Sequence, residues 1–228
     1  MSLSGVIKTI RDIMRRDRGI NGDAQRIEQL VWMIFLKVFD AKEEEWELEN
    51  GYKSIIPEKY RWRNWAKDPE GITGDELLTF INNLFSELEK LEISKEDNPK
   101  GFIVRSIFED AINYMKNGTL MRQVINKLNQ IDFNKSEDRH LFNDIYEGIL
   151  KELQSAGSYG EFYTPRPVTQ FIVDMTKPKL GQKILDPACG TGGFLTSTLE
   201  NLKKQIKNVE DNKLLELNVR GQELKPLP

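Results

Sequence analysis

The chain has 228 residues, of which 39% are hydrophobic and 30% charged, and its formal net charge is −3. This composition is typical of a globular protein that buries a core, and it provides no overall positive field for nucleic acid. No apolar run reaches the roughly 20 residues of a membrane helix, and the single cysteine and the charged, non-secretory N-terminus favour a reducing cytoplasm.

The first part of the chain has the apolar spacing of helices. Ser4 is a predicted cap for a helix that reaches Met14, and Asp23 is a predicted cap for a longer helix that becomes acidic after Lys42. Proline and glycine at both ends of residues 51–71 predict a loop there. A capping box at Thr73 and Glu76 opens the next predicted helix. That helix is predicted over residues 77–91, and the remaining predicted helices cover 103–115, 120–128 and about 138–154.

The pattern changes near residue 155, where small residues and glycines predict a connector between a helical domain, 1–155, and a second domain, 156–228. In the second domain, Thr164 and Pro165 are expected to open a helix. A strand over 183–185, a glycine turn, a helix and a strand over 215–224 follow. This order predicts an N-terminal helical bundle followed by the beginning of a doubly wound α/β sheet, an α + α/β fold.

The glycine turn, with the sequence DPACGTGGF over residues 186–194, lies where a ligand meets bare backbone. An ATP phosphate loop needs Gly-Lys-Ser/Thr, but Phe194 follows Gly193 here. In a dinucleotide motif the third glycine would be out of step, and the Asp186 carboxylate would repel phosphate. S-adenosylmethionine (SAM) fits better, because its ammonium group attracts Asp186. Glu223, near the end of the next predicted strand, is then the predicted partner of its ribose hydroxyls.

DPACGTGGF resembles the cofactor motif of N6-adenine DNA methyltransferases, and GEFYTPRPV, over residues 160–168, resembles the motif that precedes it. Their order after a helical domain resembles the modification (methylation) subunit of type I restriction-modification systems. The resemblance implies a Rossmann-like SAM-dependent methyltransferase domain and site-specific methyl transfer to adenine N6 in DNA. It also implies four partners: DNA, a specificity subunit, a second methylation subunit and a restriction subunit.

The resemblance carries site residues onto this chain one by one. Glu161, Phe162, Tyr163, Thr164, Pro165 and Arg166 would lie against the methionine end of SAM. Asp186, Gly190, Thr191, Gly192, Gly193 and Glu223 would form the rest of the cofactor site. Either aromatic of the first set could equally be a core residue. Cys189 is interpreted as a small packing residue rather than a nucleophile, since no histidine is near it in sequence.

The catalytic motif of this enzyme class, Asn or Asp followed by two prolines and an aromatic, does not occur in the chain. The predicted sheet also has only two strands when the sequence ends. We therefore expect the N-terminal part of a longer enzyme, with cofactor-site elements but no methyl transfer of its own. Two alternatives are a non-catalytic assembly or DNA-contact module and a methyltransferase with another acceptor.

Two basic segments raise the question of phosphate contact. Residues 8–18 hold five basic and two acidic side chains, and residues 59–65 interleave basic with aromatic ones. The simpler interpretation of the first segment is a solvated helix face. The simpler interpretation of the second is a loop whose aromatic side chains are buried in the helical bundle. His140 is the only histidine, and its surroundings predict no metal site.

Overall fold

A computed structural model describes residues 3–48, 51–94, 98–131, 164–190 and 192–223. The chain divides into two compact units, Met1–Ser158 and Tyr159–Pro228. The helix predicted over 138–154 lies outside the described residues, so the boundary near 155 stays a prediction. Within the described residues, no helix is both long and apolar enough to cross a membrane.

The first unit is a bundle of helices around one apolar core. Helix α4 packs against both α5 and α6, and α1 packs against α6. A large share of the core comes from apolar residues of α2, α4 and α6. The elements are α1 (Leu3–Met14), α2 (Asp23–Trp46), a 3₁₀ turn (Glu58–Tyr60), α3 (Trp62–Trp65), α4 (Gly74–Glu89), α5 (Pro99–Asp110) and α6 (Gly118–Leu128).

Several predicted helix starts are wrong by a few residues. Ser4 lies inside α1 rather than before it, and Gly22, not Asp23, occupies the cap position of α2. Thr73 does hold the cap position of α4, but its side chain makes no capping bond, so no capping box forms. At α6 the predicted break is confirmed, because the Asn117 side chain accepts a bond from the Leu120 N–H at 3.0 Å.

Helix α5 ends at Asp110, five residues before its predicted end at Met115. The residues that follow donate their backbone N–H groups to buried side chains from distant parts of the unit. Gln29 Oε1 accepts from the Tyr114 N–H at 2.7 Å, and the Asp17 carboxylate accepts from the Asn117 N–H at 2.9 Å. These bonds replace the helical ones, so the chain leaves the helix where tertiary partners are available.

The aromatic residues of the segment 59–65 are buried in the bundle. Tyr60, Trp62 and Trp65 are each less than 7% exposed. Their basic neighbours are paired with acids: Lys59 lies 2.7 Å from Glu87 on the surface, and Arg63 contacts Glu47 and the buried Asp40. The interpretation as bundle-plugging aromatics is therefore confirmed, and these rings offer no stacking platform for bases.

The second unit contains a parallel two-stranded sheet with helices packed beside it. Ile184 of the first strand pairs with Val219 of the second, and Asp186 pairs with Gly221. The helix that follows the glycine turn packs against the helix before the first strand and against the second strand. The elements are α7 (Arg166–Thr176), β1 (Ile184–Asp186), α8 (Gly193–Lys203), α9 (Val209–Asn218) and β2 (Val219–Gly221).

Helix α9 corrects the sequence-based prediction that residues 215–224 form a strand. The alternation of Leu215, Leu217 and Val219 with polar residues is typical of a strand, yet the first two are helical. The helix is started upstream by Asn208, whose side chain accepts a bond from the Asp211 N–H at 2.9 Å. The strand itself is reduced to three residues.

Candidate cofactor site

The turn after β1 is tied to the chain that follows β2. The Gln222 N–H donates to the Asp186 carbonyl at 2.9 Å, and the Cys189 N–H donates to the Gln222 carbonyl at 2.9 Å. These bonds continue the parallel pairing beyond both strands. The turn is therefore held at the carboxyl edge of the sheet, where ligands of α/β folds bind.

Two glycines of the turn have left-handed backbone conformations. Gly190 has φ +50° and Gly192 has φ +77°, a region that residues with a Cβ avoid. Gly192 is also the cap of α8, and its N–H donates to the Cys189 carbonyl at 2.8 Å. The chain thus turns tightly from β1 into α8, leaving bare backbone and a helix N-terminus at the sheet edge.

Both predicted acidic residues lie at this edge. Asp186 is the last residue of β1 and is half-buried, while Glu223 follows β2 and is exposed. Glu223 Oε2 accepts a bond from the Gly190 N–H at 2.8 Å, which joins this acid directly to the glycine turn. The structure therefore brings together two carboxylates and the turn, an arrangement that attracts a cation and opposes a phosphate.

Gly221 is a site residue that the sequence analysis missed. A Cβ at this position would lie 2.5 Å from Leu195 Cδ1 and 3.1 Å from Cys189 Sγ. β2 therefore passes so close to the turn and to α8 that only glycine fits without displacing them. The available signal was a glycine within a predicted strand, which often marks close backbone approach.

Cys189 packs behind the turn as the sequence analysis predicts. Its side chain is half-buried, and burial together with the negative charge of Asp186 raises the pKa of the thiol. Because the thiolate is the reactive form, we expect iodoacetamide to alkylate Cys189 several-fold more slowly at pH 8 in the native protein than in urea. Peptide mass spectrometry measures both rates, and equal rates would contradict the packing role.

Three predicted site residues of the motif GEFYTPRPV, namely Thr164, Pro165 and Arg166, lie at the start of α7. The cap of α7 is Pro165 rather than Thr164, and the helix begins at Arg166. The shift arises because Pro167 suits the first turn, where its missing N–H costs nothing, and the Pro165 carbonyl accepts the Val168 N–H at 2.9 Å. The remaining predicted site residues, Glu161, Phe162, Tyr163 and Thr191, lie outside the described residues.

The basic segment 8–18 is exposed at Lys8, which lies on α1, and at Arg15, Arg16 and Arg18, which follow the helix. Arg16 donates to Gln123 at 2.9 Å, so part of this charge is already engaged on the surface of the bundle. Phosphate contact by residues 8–18 stays a hypothesis. Within the described ranges, no cluster of three or more histidine, cysteine or acidic residues is arranged to hold a metal ion.

Comparison with known proteins identifies both parts of the chain. The HsdM N-terminal domain family matches residues 3–128, and the N-6 DNA Methylase family matches residues 137–228. The methylase subunit of the type I restriction enzyme EcoEI from Escherichia coli is 58% identical over the whole of this chain. That of MjaIX from Methanocaldococcus jannaschii is 40% identical over 46% of the chain and 18% of its own length.

Solved structures give the same assignment. A crystal structure described as a modification subunit of a type I restriction enzyme, from Vibrio vulnificus YJ016, superposes with a TM-score of 0.86 at 42% identity, covering 98% of this chain and 50% of its own. A chain from a study of complex assembly in a type I restriction-modification system superposes with a TM-score of 0.79 at 36% identity. The match covers 99% of this chain and 46% of that chain. The chain spans 47% of the EcoEI subunit, about half the length of that relative.

Proposed function

This chain belongs to the HsdM family of type I restriction-enzyme methylase subunits, and from that premise we propose that it is the N-terminal part of a site-specific DNA adenine-N6 methyltransferase. The observation that carries the proposal is the meeting of Asp186, Glu223 and the glycine turn at one sheet edge. β1, α8 and β2 are then the beginning of a Rossmann-like SAM-binding sheet, which the rest of the enzyme would complete.

The residues at this edge fit SAM better than they fit a phosphate ligand. SAM is cationic at its ammonium and sulfonium groups, and when bound it supplies the methyl group of the reaction. The Asp186 carboxylate, on the last residue of β1, would hold the ammonium group. Glu223 would accept hydrogen bonds from the ribose hydroxyls while its Oε2 atom keeps the hydrogen bond from the Gly190 N–H.

The first motif would complete the cofactor site at the methionine end of SAM. Thr164, Pro165 and Arg166 lie at the N-terminal end of α7, where the positive end of the helix dipole attracts a carboxylate. Glu161, Phe162, Tyr163 and Thr191 belong to the same proposed site by family resemblance. In this chain the site residues bind and orient, which is catalysis by positioning.

The partners of the whole enzyme also belong to the proposal. One structural relative comes from a study of complex assembly in a type I restriction-modification system, which supports a multi-subunit complex. We infer that the full-length protein binds DNA together with a specificity subunit, a second methylation subunit and a restriction subunit. The helical first unit would then offer surface for assembly.

The proposal is tested by methyl transfer from tritiated SAM with the full-length protein and its specificity subunit. We expect label to enter adenine N6 in DNA and to be absent from RNA and protein offered in parallel. Sequencing of the gene beyond codon 228 should reveal a strand followed by Asn-Pro-Pro and an aromatic residue. SAM binding without label in any acceptor would favour the non-catalytic assembly module, and label in RNA or protein would favour another acceptor.

A further inference from the structure

A buried pair of hydroxyl groups joins the two helices that carry the two halves of the proposed cofactor site. Thr169 of α7 is 0% exposed and Ser197 of α8 is 2% exposed, and their side-chain oxygens lie 3.0 Å apart. Thr169 Oγ1 also donates to the Arg166 carbonyl at 3.0 Å. One arrangement of the hydroxyl hydrogens satisfies both bonds: the Ser197 hydroxyl donates to Thr169 Oγ1, and the Thr169 hydroxyl donates to the Arg166 carbonyl.

The position of this pair places it directly behind the glycine turn. Ser197 lies one helical turn after Gly193, the first residue of α8. Thr169 Cγ2 would be 3.6 Å from a Cβ built on Gly193, so the same side chain also contacts the start of α8. At its other end the hydrogen-bond chain reaches Arg166, the first residue of α7.

A buried pair of hydroxyl groups can affect the geometry of two helices more than it affects the stability of the fold. Replacing both hydroxyls of a buried pair by apolar groups of similar shape is often nearly neutral for the free energy of unfolding. Apolar contacts, however, have little directional preference, whereas hydrogen bonds prescribe both distance and angle. The pair therefore fixes the register of α7 against α8 more than it stabilises their contact.

We propose that Thr169 and Ser197 are positioning residues, which hold the start of α7 in register with the glycine turn. The start of α7 and the glycine turn can then bind the two ends of SAM at the same time. The inference rests on the proposed SAM-dependent function and deepens it. Neither side chain needs to touch SAM, because both act through the backbone: Thr169 through Arg166, and Ser197 through α8.

The experiment is SAM titration by calorimetry on the full-length methylase subunit, with steady-state kinetics of the assembled enzyme. Thr169→Val is expected to weaken SAM binding about tenfold, with a matching rise in KM for SAM but not for DNA. Thr169→Ser keeps the hydroxyl and should bind within about twofold of the unmodified protein. The matched control is Thr176→Val, which removes a hydroxyl bonded to the Val173 carbonyl at the far end of α7 and should leave SAM affinity unchanged.

The double variant Thr169→Val/Ser197→Ala leaves no unpaired hydroxyl and carries the test if the single variant fails to fold. It too should lose about tenfold in SAM affinity, because the two residues act as one unit. Unchanged SAM affinity in the valine variants, an equal loss in Thr169→Ser, or a fall in kcat alone would each overturn the positioning role. An unmodified protein that does not bind SAM would instead overturn the proposed function, and this inference with it.

Discussion

Replacing Asp186 with alanine in the full-length methylase subunit is expected to abolish measurable SAM binding and methyl transfer. The half-buried carboxylate ends β1, and its Oδ1 atom accepts from the Ala188 N–H at 3.3 Å. Asp186→Asn keeps the size and an acceptor oxygen but loses the charge that attracts the ammonium group. We expect it to bind SAM about 100-fold more weakly, the value of a strong charge-assisted hydrogen bond.

The companion variants separate the two acids of the site. Glu223→Ala should also abolish cofactor-dependent methylation, whereas Glu223→Gln should lose less, because an amide oxygen still accepts from the Gly190 N–H and from a hydroxyl. Asp174→Ala, on α7 with Gln170 as its partner, removes a negative charge elsewhere in the same unit and serves as the control. Calorimetric titration with SAM measures all of them. If neither alanine variant at the site reduces binding, the assignment of the site is wrong.

Replacing Arg122 with methionine is expected to destabilise the first unit by about 3 kcal/mol or more. The side chain is 5% exposed, and its guanidinium donates to four backbone carbonyls, those of Trp65, Ala66, Asp68 and Ile72, at 2.9 to 3.3 Å. Burial lowers the pKa of Arg122, which shows that the charge is costly to hold there. The structure retains it because no other side chain satisfies so many converging carbonyls with one planar group.

Hydrogen exchange of the full-length protein, read by mass spectrometry, measures this effect locally. Amides around α3, Trp62–Trp65, should exchange roughly 100-fold faster in Arg122→Met than in the unmodified protein. Arg122→Lys should be almost as harmful, because an ammonium group does not reproduce the fork of donors. Lys90→Met, at an exposed position after α4, should change little. Unaltered exchange around α3 in Arg122→Met would refute the anchoring role.

Much of the candidate site is local in sequence and could therefore be predicted. Asp186 and the glycines follow a short apolar run and precede a segment whose apolar residues have helical spacing. These adjacent residues therefore predict a strand, a tight turn and a helix. The position of Glu223 near the end of the next strand could be predicted in the same way, and the structure ends that strand two residues earlier, at Gly221. Gly221 could not, because the need for it comes from Leu195 and Cys189, which approach it only in the folded unit.

The errors in secondary structure have two different origins. Residues 215–218 alternate as a strand would, but the cap at Asn208 starts a helix that runs through them. That signal was present in the sequence and was outweighed by the alternation. The early end of α5 had no such signal, because it depends on Gln29 and Asp17, whose side chains reach the backbone of residues 114–117 from far away in the chain.

The sequence by itself determined most of the described helices, where the glycine turn lies and which two acids flank it, because those properties follow from side-chain spacing within a few residues. Only the tertiary structure decided that Trp62 and Trp65 are core residues and that Arg122 donates to the Trp65 carbonyl. It alone also paired Thr169 with Ser197. These are contacts between residues distant in sequence, and whether a polar or aromatic side chain is buried depends on which partners the folded chain brings to it.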